Sequence, residues 1–179
     1  MTNANADGSA VQRILDARAA ALAKPPDAEV TGESLELVVL AVGPDRYGVA
    51  ARQVQEIQEL TGLARVPGLP PFWAGVVNLH GRLYPLLDLR NFLGLPGAAP
   101  EAGGKVALVT MGGLSVALWV DDVPEVREVP LTAIGPSLIE AADAQRLTGV
   151  RGVTQDLLAV LDLEVLLADP RLVVQDEIR

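Results

Sequence analysis

From residue 35 onward, apolar and polar positions fall into short blocks separated by turn residues. LELVVLAV (35–42) is followed by GPDR and then YGVAA (47–51). Further on, KVALVTM (105–111) is followed by GG and then LSVALWV (114–120). Short apolar runs broken by Gly and Pro predict strand–turn–strand hairpins, with Gly43-Pro44 and Gly112-Gly113 at the turns. Short helical pieces are expected at about 51–58, 88–94, 121–127 and 162–168. Strands this short indicate small barrels or sandwiches, not a parallel sheet with long crossover helices. Ahead of this region, residues 1–8 read as a polar, disordered tail. Residues 9–23 read as an amphipathic helix, with Ser9 as cap and Val11, Ile14, Leu15 and Leu22 on one face, which Arg18 interrupts. Pro25-Pro26 ends it. Its apolar stripe is read as packing on the domain, with partner docking as the alternative.

The pattern also repeats. LAVGPDRYGVAARQVQEI (40–57), moved along by 69, lies without gaps on VTMGGLSVALWVDDVPEV (109–126). Gly43 meets Gly112, Val54 meets Val123, Glu56 meets Glu125 and Ile57 meets Val126. At a shift of 74, LYPLLDLRNFL (83–93) lies on LLAVLDLEVLL (157–167). Two echoes in the same order indicate duplication of a whole unit. A unit of about 60 residues is marginal alone, so the two should pack together. Their seam is expected to be a groove lined by aliphatics. GLPGAAPEAGG (94–104) is the natural joint between a first subdomain, about 35–94, and a second, about 103–168. Residues 1–34 and 169–179 are assigned to flanking segments.

Composition narrows the function. The chain has 179 residues, half of them hydrophobic, and a net charge of −9 with no basic cluster, so nucleic acid and anionic membrane are poor partners. No run approaches the length of a membrane span, and no secretory signal is read at the start, which makes a cytoplasmic protein the expectation. There is no cysteine and one histidine, His80. Triads, multi-His metal sites and Cys-ligated zinc therefore have almost no material, and no cofactor is expected. GAAPEAGGK is not a phosphate loop: its spacing is wrong and Val106 follows Lys105 where Ser or Thr would hold magnesium. Asp121-Asp122, Asp88 and Asp162 are read as helix caps rather than acid pairs. The six aromatics are too scattered for a base-stacking surface. Phe72-Trp73 is expected to plug the end of the first barrel, with a partner-facing role as the alternative.

Several motifs agree together. YGVAARQVQEI, RVPGLPPFWAGVVNLHGRLYPLLDLRNFLGL, SVALWVDDVPEV and LTGVRGVTQDLLAVLDLEVLL resemble, in order and spacing, the CheW family of bacterial chemotaxis coupling proteins. The resemblance covers about residues 35–168. It implies a mainly β fold of two packed SH3-like five-stranded β-barrels, with the N-terminal helix as an addition. It also implies a non-enzymatic adaptor that links a chemoreceptor tip to the regulatory domain of a CheA-type histidine kinase. The implied contact positions are Val54, Glu56, Ile57 and His80, with Val123 and Glu125 as their repeat equivalents. His80 stands where the family usually has Arg, so its attraction to Glu56 should be weaker and pH-dependent. That departure keeps open a related adaptor in a motility or other non-chemotactic kinase pathway. An oligonucleotide- or oligosaccharide-binding barrel is the alternative of another class, and a two-carboxylate hydrolase comes last.

Overall fold

The computed structural model describes residues 32–97, 103–136 and 149–172. The stripe at 9–23 and the end of the chain from 173 lie outside them. The chain divides into two units, Met1–Gly32 and Glu33–Arg179, and the fold described here is that of the second. Eleven strands are found among the described residues: β1 (Ser34–Val42), β2 (Asp45–Ala50), β3 (Val54–Glu59), β4 (Leu63–Ala64), β5 (Trp73–Leu79), β6 (Arg82–Asp88), β7 (Lys105–Met111), β8 (Leu114–Val120), β9 (Asp122–Pro130), β10 (Val150–Val153) and β11 (Leu158–Leu161). Short helices follow β6 (Leu89–Phe92) and β11 (Leu163–Leu167).

The strands form two sheets, ordered β10-β11-β2-β1-β9 and β3-β7-β8-β6-β5-β4. The duplicated unit is visible in them. Hairpin β1–β2 corresponds to β7–β8, β3 to β9, and β5–β6 with its helix to β10–β11 with its helix. The two units exchange hairpins: β1–β2 of the first joins the later strands of the second, and β7–β8 of the second joins those of the first. The registers match residue for residue. Val38 faces Val126 as Ala107 faces Ile57, and Val39 faces Glu125 as Leu108 faces Glu56. The parallel pairings match too, Val160 on Gly48 and Leu86 on Ala117. The consecutive stretches 35–94 and 103–168 are therefore repeats, but they are not the barrels. Each barrel takes strands from both stretches, because the pairing edge open to each first hairpin belongs to the other repeat.

The exchange leaves three apolar clusters. One lies within the five-stranded sheet (Leu37, Val39, Val129, Leu158, Val160). A second lies within the six-stranded sheet (Val77, Leu79, Leu86, Val106, Leu108, Ala117, Trp119). The largest joins the opposite faces of both sheets and includes Val38, Leu40, Val49, Leu87, Phe92, Val109, Leu118 and Leu163. The seam is thus a packed core at these positions and not the expected aliphatic groove. Exchanged hairpins give each sheet two apolar faces, and the outer ones can be buried only against each other. Phe72 and Trp73 pack on this shared cluster, Phe72 edge-on to Phe92 at 5.6 Å, and so do not plug the first barrel.

Local chemistry explains most elements. Gly43 and Gly112 turn their hairpins at φ +61° and +58°, a region where a Cβ is strained. Asp88 and Asp162 cap their helices as expected: Asn91 N–H donates to Asp88 Oδ1 at 3.1 Å, and Glu164 N–H to Asp162 Oδ1 at 3.0 Å. The helices expected at 51–58 and 121–127 do not form. The first stretch makes one 3₁₀ turn, Ala51–Gln53, and then β3, and the second is β9. Both lie at sheet edges, where pairing with a neighbouring hairpin overrides local preference and Pro124 is tolerated. Asp121 and Asp122 consequently cap nothing. Asp121 accepts from Gly43 N–H and from the Arg90 guanidinium, while Asp122 pairs with Lys105 Nζ at 2.7 Å.

Candidate functional site: an edge strand and a hairpin tip

β3 carries Val54, Glu56 and Ile57, and its geometry differs from the helix expected there. The register slips at Gln55: Val54 faces Val109, while Glu56 faces Leu108 and Ile57 faces Ala107. Residues directly opposite in an antiparallel pair share a face. Val109 and Ala107 are two apart on β7, so Val54 and Ile57 share the seam side and Glu56 lies on the other. A bulge thus produces the separation that helical spacing was expected to give. Val54 is half-buried against the shared core, whereas Ile57 is 38% exposed at the sheet edge.

His80 sits at the tip of the β5–β6 hairpin with φ +50°, followed by Gly81 at +82°. Two central residues with positive φ make the turn whose twist matches the flanking strands. Gly81 N–H donates to Asn78 Oδ1 at 2.8 Å and holds the turn. The tip brings His80 Nε2 to 2.6 Å from Glu56 Oε1, joining two positions 24 residues apart. The imidazole remains 74% exposed. Four of the six expected positions thus lie on the six-stranded sheet.

Val123 and Glu125 lie on β9 of the other sheet and repeat this arrangement. Val123 packs against the shared core as Val54 does. Glu125 is exposed and stands 4.0 Å from Arg127 Nη1. Arg127 pairs more closely with Asp156, at 2.7 Å, beside the β10–β11 turn. Arg127, and then the Thr154 hydroxyl, hold the Asp156 carboxyl down at about 2. A fixed ion pair therefore occupies the end of the second barrel, where the first has Glu56 and His80.

Motif reasoning did not single out Leu83, Val126 and Leu157. Their exposures are 70%, 53% and 79%, among the highest for large apolar side chains in the described residues. The signal was present in the repeat alignment, which lays Leu83 on Leu157 and Ile57 on Val126. Each barrel thus shows an aliphatic on its edge strand, an aliphatic at its hairpin end, and a glutamate between core and rim.

Little in the described residues suits catalysis. No group of three or more His, Asp or Glu is placed to hold a metal. Asp88 is buried, and burial pushes its carboxyl up against the opposing hydrogen bond from Asn91 N–H, but its Oδ1 is engaged in the cap.

The profile of the CheW-like domain matches residues 36–171. The chain belongs to this family. It is 27% identical to the chemotaxis protein CheW of Klebsiella aerogenes over 84% of its own length and 93% of that protein. It is 30% identical to the protein FrzA of Myxococcus xanthus over 64% of this chain and 72% of that one. The crystal structure of the scaffolding protein TtCheW from Thermoanaerobacter tengcongensis has the same fold, with a TM-score of 0.62 at 23% identity, covering 72% of this chain and 89% of the other. The CheW-like resemblance and the mainly β fold of two packed barrels are thereby borne out. No helix among the described residues is long and apolar enough to cross a membrane.

Proposed function

We propose that this CheW-like chain is a non-enzymatic cytoplasmic adaptor of chemotaxis that joins a chemoreceptor tip to the regulatory domain of a CheA-type histidine kinase. One observation supports this above the rest: the two repeats expose equivalent aliphatics, Ile57 with Leu83 and Val126 with Leu157, on barrels sharing one core. Single exposed apolar residues are ordinary. Pairs repeated at matching positions of both barrels suit partners that dock on each end. The rigid seam would hold two such partners at fixed geometry. Glu56 and Glu125 supply polar selection beside the aliphatic contacts.

His80 tunes the first surface. A Glu–His contact becomes an ion pair only when the imidazole is protonated, and it lacks the two-pronged geometry of Glu–Arg. Replacing His80 with Arg supplies a permanent charge and a two-pronged contact, and should strengthen partner binding at neutral pH. Equal affinities for both proteins would remove His80 from recognition.

The direct test is pairwise co-purification with the receptor tip and with the kinase regulatory domain of the same organism. Glu56→Arg and Ile57→Asp should each weaken at least one pairing, since interface hot spots cost about tenfold or more when disrupted. Both side chains are partly exposed, so the fold should survive. Undiminished binding by both variants would exclude the β3 surface. Binding of the kinase domain without any receptor would favour the related adaptor in a pathway lacking chemoreceptors.

A further inference from the structure

At the opposite end of the β5–β6 hairpin from His80, the six-stranded barrel holds a cleft of about 480 Å³. Seven strand residues separate the two places, about 23 Å at the usual rise. One wall is the segment between β4 and β5, which contributes Val66, Leu69 and Pro67, Pro70 and Pro71. This wall is stiff. Three prolines fix their own φ, and Trp73 N–H donates to Pro70 O at 2.9 Å. Its start is pressed onto β5 at Gly75, where a Cβ would strike the Ala64 carbonyl oxygen. A preformed wall loses little freedom when a ligand enters.

Trp73 and Trp119, the only two tryptophans of the chain, both line the cleft. Trp119 is 4% exposed, and neither indole N–H has a hydrogen-bond acceptor. Both nitrogens are enclosed, so the cleft meets the indoles by their carbon atoms. Arg65 stands among the lining residues and has no ion-pair partner among the described residues. The volume lies within the range of small-molecule sites, and the lining is mostly apolar with few polar groups.

We propose that this cleft binds a small organic anion with a flat apolar body, an aromatic carboxylate in chemical class. The proline rings and the indole carbon faces take the flat body, and Arg65 takes the carboxylate. Asp88, also in the lining, has Oδ1 engaged by the Asn91 N–H in its helix cap.

The experiment uses the full ¹⁵N-labelled chain, whose two indole N–H resonances both report on the cleft, with benzoate as the probe. Both signals should shift saturably, with a dissociation constant of about 1 mM or tighter, as befits a ligand of this size. Arg65→Ala, a change on the exposed rim, should weaken binding about tenfold through loss of a charge-assisted contact. Trp73→Phe, which keeps a ring but shortens the flat wall, should weaken it severalfold, and benzyl alcohol should bind more weakly than benzoate. Absence of a saturable shift at either indole overturns the proposal. So does equal affinity for benzoate in Arg65→Ala or equal affinity for benzyl alcohol. The readout needs neither kinase nor receptor, so it stands or falls apart from the adaptor reading.

Discussion

Removing part of Leu118 tests the shared core. This side chain is fully buried on β8, opposite Ala107 and beside Leu87 of β6, in the cluster that joins both sheets. Leu118→Ala removes three carbons from a close-packed interior and leaves a cavity, which costs about 2.5–5 kcal/mol. Set against a total stability of about 5–15 kcal/mol, the loss is large but survivable. With a urea slope of about 2 kcal/mol per molar, a loss of about 3 kcal/mol moves the midpoint down by about 1.5 M. Tryptophan fluorescence reports the six-stranded sheet, through Trp119, and the seam, through Trp73, while far-ultraviolet circular dichroism reports both sheets. Because the hairpins are exchanged, the two signals should remain coincident in wild type and variant. A midpoint shift below about 0.5 M would show that the seam is not a packed core. A fluorescence transition that separates from the dichroism transition would show that the barrels unfold independently.

Two further outcomes follow from particular residues. Gly75→Ala forces a Cβ against the Ala64 carbonyl at φ +140°, so thermal unfolding should fall by the equivalent of about 1–3 kcal/mol; an unchanged melting temperature would contradict the close approach of β4 to β5. Asp156 has its folded pKa lowered to about 2, so the stability it contributes is present above the ordinary aspartate value of 3.8 and lost as pH falls through about 2. Its side chain is 59% exposed, so screening holds the contribution below about 1 kcal/mol. Asp156→Asn should therefore be slightly less stable than wild type at neutral pH and equal to it below about pH 2, and a gap that persists there would refute the pairing with Arg127.

The sequence disclosed the local features well. Gly43 and Gly112 turn the hairpins they were expected to turn, Asp88 and Asp162 cap the helices that follow them, and the repeat is present strand by strand. What failed depended on distant partners. VQEI and DVPEV have apolar positions three apart, which suits a helix face, but each becomes an edge strand because a hairpin from the other repeat offers backbone groups to pair with. The division into consecutive subdomains failed for the same reason, since no local pattern says which repeat a hairpin will join. At the site, the repeat alignment and the family motifs led to Glu56 and His80, which the structure brings into contact. Leu83 and Leu157 were overlooked because one leucine in a leucine-rich strand looks like core. Only the chain's path through the hairpin turns it outward.

The claim on which the rest turns is that one chain holds two partners at once. Sedimentation of the purified chain with the receptor tip and the kinase regulatory domain, together and in pairs, addresses it directly. A single ternary species that contains all three should form, and it should be lost when Ile57 and Val126 are both replaced by Asp. Mutually exclusive binding of the two partners, or a ternary species indifferent to those replacements, would contradict it.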